Sequence, residues 1–161
     1  MINITMVGDR AVIAQLSSFR NGLHAALHRR ITILVLQLER RVKLKLSGNV
    51  LNVRTGALRR SIQSDVRDSG QAITGRVFST GDVKYAAIHE FGGRTKAHVI
   101  EAKNGKALRF AMGGAMVFAK RVNHPGSVMP ERSFLRSSLR EMRDEIVQSL
   151  SDAPAEAMRR S

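Results

Sequence analysis

The chain has 161 residues, 43% of them apolar, and carries a net charge of +14 from 27 Lys and Arg against 13 Asp and Glu. That length suits one domain with a modest core. The complete absence of cysteine excludes disulfides, thiolate nucleophiles and cysteine-based zinc sites and fits a reducing compartment.

The first element is helical. Val12, Leu16, Phe19, Leu23, Leu27, Ile31, Leu34, Leu38 and Val42 recur every three or four residues, which places them on one helical stripe. Asp9 lies where an N-cap is expected and Gly48 where the helix should stop. Gly22 is expected to kink or split it. The stretch ITILVLQL at 31–38 is apolar almost all round, so this part is covered on several sides, or else forms a buried strand. A loop over residues 47–55 leads into a short turn capped by Thr55 and anchored by Leu58.

Residues 62–67 and 72–79 then read as strands around the turn Asp68-Ser69-Gly70, an antiparallel hairpin. Residues 83–91 predict a short helix ended by Gly92-Gly93. Segments 97–101 and 106–110 flank Asn104-Gly105, a strong hairpin signal, and 116–122 reads as a further strand. Pro125 and Pro130 exclude regular structure from 124–130. Phe134, Leu135, Leu139, Met142, Ile146 and Leu150 mark a last helix, followed by a frayed tail over 151–161. The order predicts a single α+β domain over 1–150. A long N-terminal helix and a C-terminal helix cover one face of a mostly antiparallel sheet, with a short helix and a hairpin arm over 94–123.

Sites for chemistry do not emerge. Phosphate-loop, dinucleotide and nucleophile-elbow motifs are absent. His89-Glu90 begins like a zinc-protease motif, but Gly93 stands where the second histidine is needed. His24 and His28 are four apart, a spacing that can hold a metal, but no carboxylate is expected nearby to complete the shell. Asp65 and Asp68, three apart on a strand, should point to opposite faces. Glu90 is expected to form a structural ion pair with an arginine.

The basic charge is uneven, with eleven basic and two acidic side chains in residues 1–60. Such a field attracts polyanions. One tyrosine and no tryptophan argue against base stacking, so any DNA contact should run through phosphates. The longest apolar run, 31–38, is interrupted by Thr32 and Gln37, and no membrane span is expected. The opening MINITMVGDR lacks the order of a signal peptide, so cytoplasmic synthesis is expected.

Three segments, TGALRRSI at 55–62, YAAIHEFGG at 85–93 and HPGSVMPERSFLRSSL at 124–139, taken in this order, resemble the tail-completion family of long-tailed phages. Its members are also described as minor tail, neck or virion morphogenesis proteins. The likeness spans about residues 40–145. In the third motif Pro130 and Phe134 are separated by Glu131, Arg132 and Ser133, where the family more often sets proline directly before the aromatic.

The resemblance implies a tail-terminator-like structural subunit, with neither enzymatic activity nor a cofactor or metal. Copies would close into a ring, usually hexameric, at the head-facing end of the tail. Implied partners are the tail-tube protein and a head-side connector or stopper protein, with phage DNA passing through the lumen and no membrane. The implied place is the virion neck or tail, after assembly in the host cytoplasm. A head-completion protein on the head side of the neck is the adjacent reading. A basic DNA-binding protein without sequence preference is a reading of another class.

Within these motifs Gly56 lets the chain turn tightly, and Leu58 and Ile62 bury. Arg59 and Arg60 stay free for a partner or the lumen. Tyr85, Ile88 and Phe91 pin the short helix against the sheet, while Gly92 and Gly93 free the chain to swing outward. Pro130 and Phe134 set the approach to the last helix. Arg94, Lys96, Lys103 and Lys106 on the arm are further interface or lumen candidates.

Overall fold

The first helix, α1, runs unbroken from Asp9 to Leu44. At 1.5 Å per residue its 36 residues span roughly 54 Å. The computed structural model describes residues 9–52, 55–81, 83, 85–103 and 105–160. Asp9 in the first turn and Arg41 and Lys43 in the last complement the helix dipole. The 31–38 stretch is helical throughout, with Leu34 and Val35 buried. Gly22 produces no kink. It faces α6 instead, where an added Cβ would lie 3.8 Å from Ala157 Cβ. The apolar stripe is core only in its later turns: Leu34 and Val42 are buried, whereas Leu16 is 63% exposed. Gly48, at φ 118°, stops the helix as expected, from within the π-helical turn Lys45–Asn49 that closes it.

A short helix α2 (Ala57–Ser61) leads directly into β1 (Ile62–Asp68), which pairs antiparallel with β2 (Ile73–Ser79). The Ser69 amide donates to the Ala72 carbonyl (3.1 Å) to close the turn. This hairpin packs on α1. The fit is tight at Gly75, where a Cβ would stand 2.3 Å from Val35 Cγ2.

The C-terminal region differs from the single helix expected. It forms α4 (Leu135–Glu141), α5 (Arg143–Ser151) and α6 (Ala153–Arg160), with breaks at Met142 and Asp152. All three pack on α1. Residues 153–160 are therefore not a frayed tail: Ala153 and Ala157 are fully buried, and Arg29 and Arg30 both pair with Glu156 at 2.8 and 3.0 Å. Along the same interface Lys45 donates to Ser137 Oγ (2.7 Å) and Glu141 (2.6 Å), and Arg41 meets Glu145 at 3.6 Å. Much of the basic charge on α1 is thus matched within the chain. Phe134 and Met142 are fully buried, but Leu139, expected on the same apolar stripe, is 51% exposed.

Residues 84–132 form a second compact unit, distinct from the unit built by the chain up to Val83 and from Ser133 on. Two units thus replace the single domain expected. In the second, α3 (Tyr85–Phe91) is followed by β3 (Gly93–Arg94), β4 (His98–Glu101), β5 (Leu108–Met112), β6 (Ala115–Ala119), β7 (Arg121–His124) and β8 (Val128–Met129). β3 pairs with β8, β4 with β7 and β5 with β6, all antiparallel. The class is α+β, as expected. Among the described residues the expected single sheet is replaced by four two-stranded ladders, and α1 forms the main helical cover of the β1–β2 hairpin.

The arm has a different turn from the one expected. Asn104 lies outside the described residues, and the segments flanking it do not pair with one another. The tight turn is at Gly113-Gly114, with φ values of 58° and 84°. A two-residue hairpin of this hand needs positive φ at both central positions, which two glycines supply without strain.

Candidate functional site

The first motif builds a short basic turn. Gly56 takes the N-cap of α2 at φ 72°, and the Ala57 amide donates to Thr55 Oγ1 at 3.4 Å. Thr55 thus supports the turn from one position before the cap. Leu58 and Ile62 are buried as expected. Arg60 is not free: its guanidinium donates to the Thr55 carbonyl at 3.0 Å and braces the loop. Arg59 is exposed and lines a shallow concavity of about 340 Å³ with Leu36, Glu39, Arg40, Lys43 and Leu44. Sequence reading missed this groove. The available signal was the spacing of Leu36, Arg40 and Leu44, four apart and therefore on one helix face.

Glu39 is the only acidic side chain of the groove. It accepts hydrogen bonds from Lys43 Nζ and Ser64 Oγ. The Lys43 ammonium first, and the Ser64 hydroxyl second, hold its carboxyl below the usual value of 4.5. It therefore stays ionised and neutralises Lys43, which leaves Arg40 and Arg59 as the groove's outward cations. Two exposed leucines beside two cations suit an apolar, acidic surface.

The second motif lies on α3. Glu90 is buried, at 3% exposure, a position a carboxylate tolerates only when hydrogen-bonding or charged partners compensate its desolvation. Tyr85 and Phe91 do not act as the expected pins: they are 44% and 63% exposed, and Tyr85 meets the His89 ring edge-on at 5.9 Å between centroids. Gly92 is required on two counts. Its φ is 67°, and a Cβ would lie 2.9 Å from the Glu131 amide nitrogen. The glycine pair therefore seats the 129–131 segment, and Gly93 opens β3, so the chain is held here where it was expected to swing free. Pro130 follows β8, and the Arg132 amide donates to the His89 carbonyl at 2.8 Å. Phe134, at the N-cap of α4, is completely buried.

Arg94, Lys96, Lys103 and Lys106 are all exposed. Residues 94–121 hold seven basic side chains and one acidic, Glu101, which meets Arg121 at 4.0 Å. Beyond this basic part, residues 110–119 (FAMGGAMVFA) carry no charge at all. The pairs Phe110↔Val117 and Met112↔Ala115 share one face of the β5–β6 ribbon, and Ala111↔Met116 shares the other with Phe118. Met112 and Phe118 are 68% and 67% exposed.

The candidate chemical groups are dispersed. His24 Nε2 lies 3.2 Å from Asp68 Oδ1, a carboxylate that its sequence neighbourhood did not offer. The Gly70 amide first, and His24 second, keep Asp68 below the usual carboxylate range. Asp65 turns instead to Arg76 and Arg67, at 2.6 and 2.9 Å. Among the described residues no three His, Asp or Glu side chains gather to hold a metal, and no helix is long and apolar enough to cross a membrane. No family model, no curated protein and no solved structure matches the chain.

Proposed function

We propose that this chain is a structural subunit of a phage virion that closes with copies of itself into a ring at the head-facing end of the tail. The observation that carries the reading is the 108–119 hairpin, a two-stranded ribbon that is apolar on both faces over 110–119 and paired with no further strand among the described residues. Isolated two-stranded hairpins are marginal in water and call for a partner. The ordered motifs at 55–62, 85–93 and 124–139 supply the phage assignment. Their glycines serve as structural joints: Gly56 and Gly92 each hold a left-handed conformation. The product of such a protein is geometry, without cofactor or reactive group.

In this reading the Leu36–Arg59 groove meets an acidic surface on the tail-tube or head-side connector protein. The basic stretch 94–106 lies against acidic neighbours or against the phosphates of passing DNA. Deleting the gene is the test. Loss of the subunit should leave filled heads beside unattached tails, some of them overlong. Normal infectious particles from the deletion would remove the proposal.

A further inference from the structure

We infer that the 108–119 hairpin is the joint between copies: its free strand edges pair with the same hairpin of a second copy, extending the β5–β6 ladder from subunit to subunit. This deepens the ring reading and rests on it.

β5 and β6 pair only with each other among the described residues, so each strand carries one open edge. Met112 and Ala115 flank the two-residue turn and face each other. Antiparallel ladders alternate between pairs that exchange hydrogen bonds and pairs that do not. With Met112 and Ala115 the bonded pair, the amides of Ala111 and Met116 point outward, one on each edge. Open edges of this kind are templates for another strand, and proteins that must avoid pairing place charges or proline on them. Here neither edge has such protection between residues 110 and 119.

Charge selects the occupant. Like-charge repulsion opposes self-association of a +14 chain, but not over these ten uncharged residues. Nucleic acid is the poorer match, because phosphate binding needs cations at the contact and the ribbon carries one, Arg109, at the end away from its turn, with Lys120 just beyond β6. A bilayer interior is poorer too, because it would leave the two edges unsatisfied. A second copy satisfies the edges and sets β6, with Met116 and Phe118, beside the β5 strand of its neighbour, whose residues 110–112 carry no charge. Pairing the β5 edge of one copy with the β6 edge of the next is head-to-tail, the arrangement that closes rings.

The test uses the full chain. Light scattering is measured for wild type, for Ala111→Lys and Met116→Lys, and for Gln63→Lys, which adds the same charge at an exposed position of β1. Ala111→Pro provides a second disruption, because proline at an outward edge position spares the hairpin's own hydrogen bonds. Far-UV circular dichroism confirms folding of each variant. The expected result is a multimer for wild type and Gln63→Lys and a fall to the 17.8 kDa single chain for the three edge variants. Edge variants that keep the wild-type mass would overturn the inference while leaving the ring reading intact. A wild type that is monomeric and also absent from virions overturns both. Wild-type binding to anionic vesicles or duplex DNA, lost in the edge variants while the mass is unchanged, overturns it in favour of that ligand.

Discussion

Glu39 shows how the structure spends its few acidic groups. It joins α1 to β1 through Ser64 and neutralises Lys43 on its own helix. Because its folded-state pKa is depressed, its contribution to stability is complete above the ordinary carboxylate range and disappears as pH falls through the lower folded value. Glu39→Gln should therefore be less stable than wild type at neutral pH, and the gap in urea midpoint should close in acid, below about pH 4. A gap of constant size across pH would show that the carboxylate's charge is irrelevant. At this scale sequence reading succeeded where backbone conformation dictates residue type, as at Gly48, Gly56 and Gly92. It failed where long-range contacts decide. Nothing near His24 in the sequence foretold Asp68, and Arg60 could not be seen to brace Thr55.

Among the elements, α6 is the clearest departure from expectation. Its sequence, APAEAMRR, is too polar and too short on large apolar groups to announce a packed helix. The packing instead uses small residues: a Cβ added at Gly22 on α1 would just touch Ala157 on α6, which is fully buried, and Arg29 and Arg30 clamp Glu156 beside it. Ala157→Leu should overfill this contact and cost about 1–3 kcal/mol in chemical denaturation. An unchanged midpoint would show that α6 contributes no more than a loose tail. The first hairpin was legible because Asp68-Ser69-Gly70 separates two β-prone runs. The arm was only half legible. Its existence showed in the strand pattern, but two glycine turn signals competed, and the Gly113-Gly114 pair won because Phe110, Met112 and Val117 give it apolar cross-strand partners.

At the level of the whole molecule, the α+β class was readable from the alternation of periods, whereas the division into two compact units was not. Composition carries no mark of it, because β4 to β7 have strand-like sequences whether they join a sheet or form a ribbon. The net charge also reads differently once the fold is known. The α1 cations Arg29, Arg30 and Arg41, and Lys45 just after the helix, are matched by Glu156, Glu145 and Glu141, while 94–109 keeps an excess of exposed cations. The charge is thus partly matched in pairs along the first helix and left exposed along 94–109. The most direct measurement is electron cryo-microscopy of the head–tail junction of purified particles, with this chain located by a fused tag. The account predicts one closed ring of identical copies at the head-facing end of the tail. Particles with an intact junction and no copy of this chain there would contradict it.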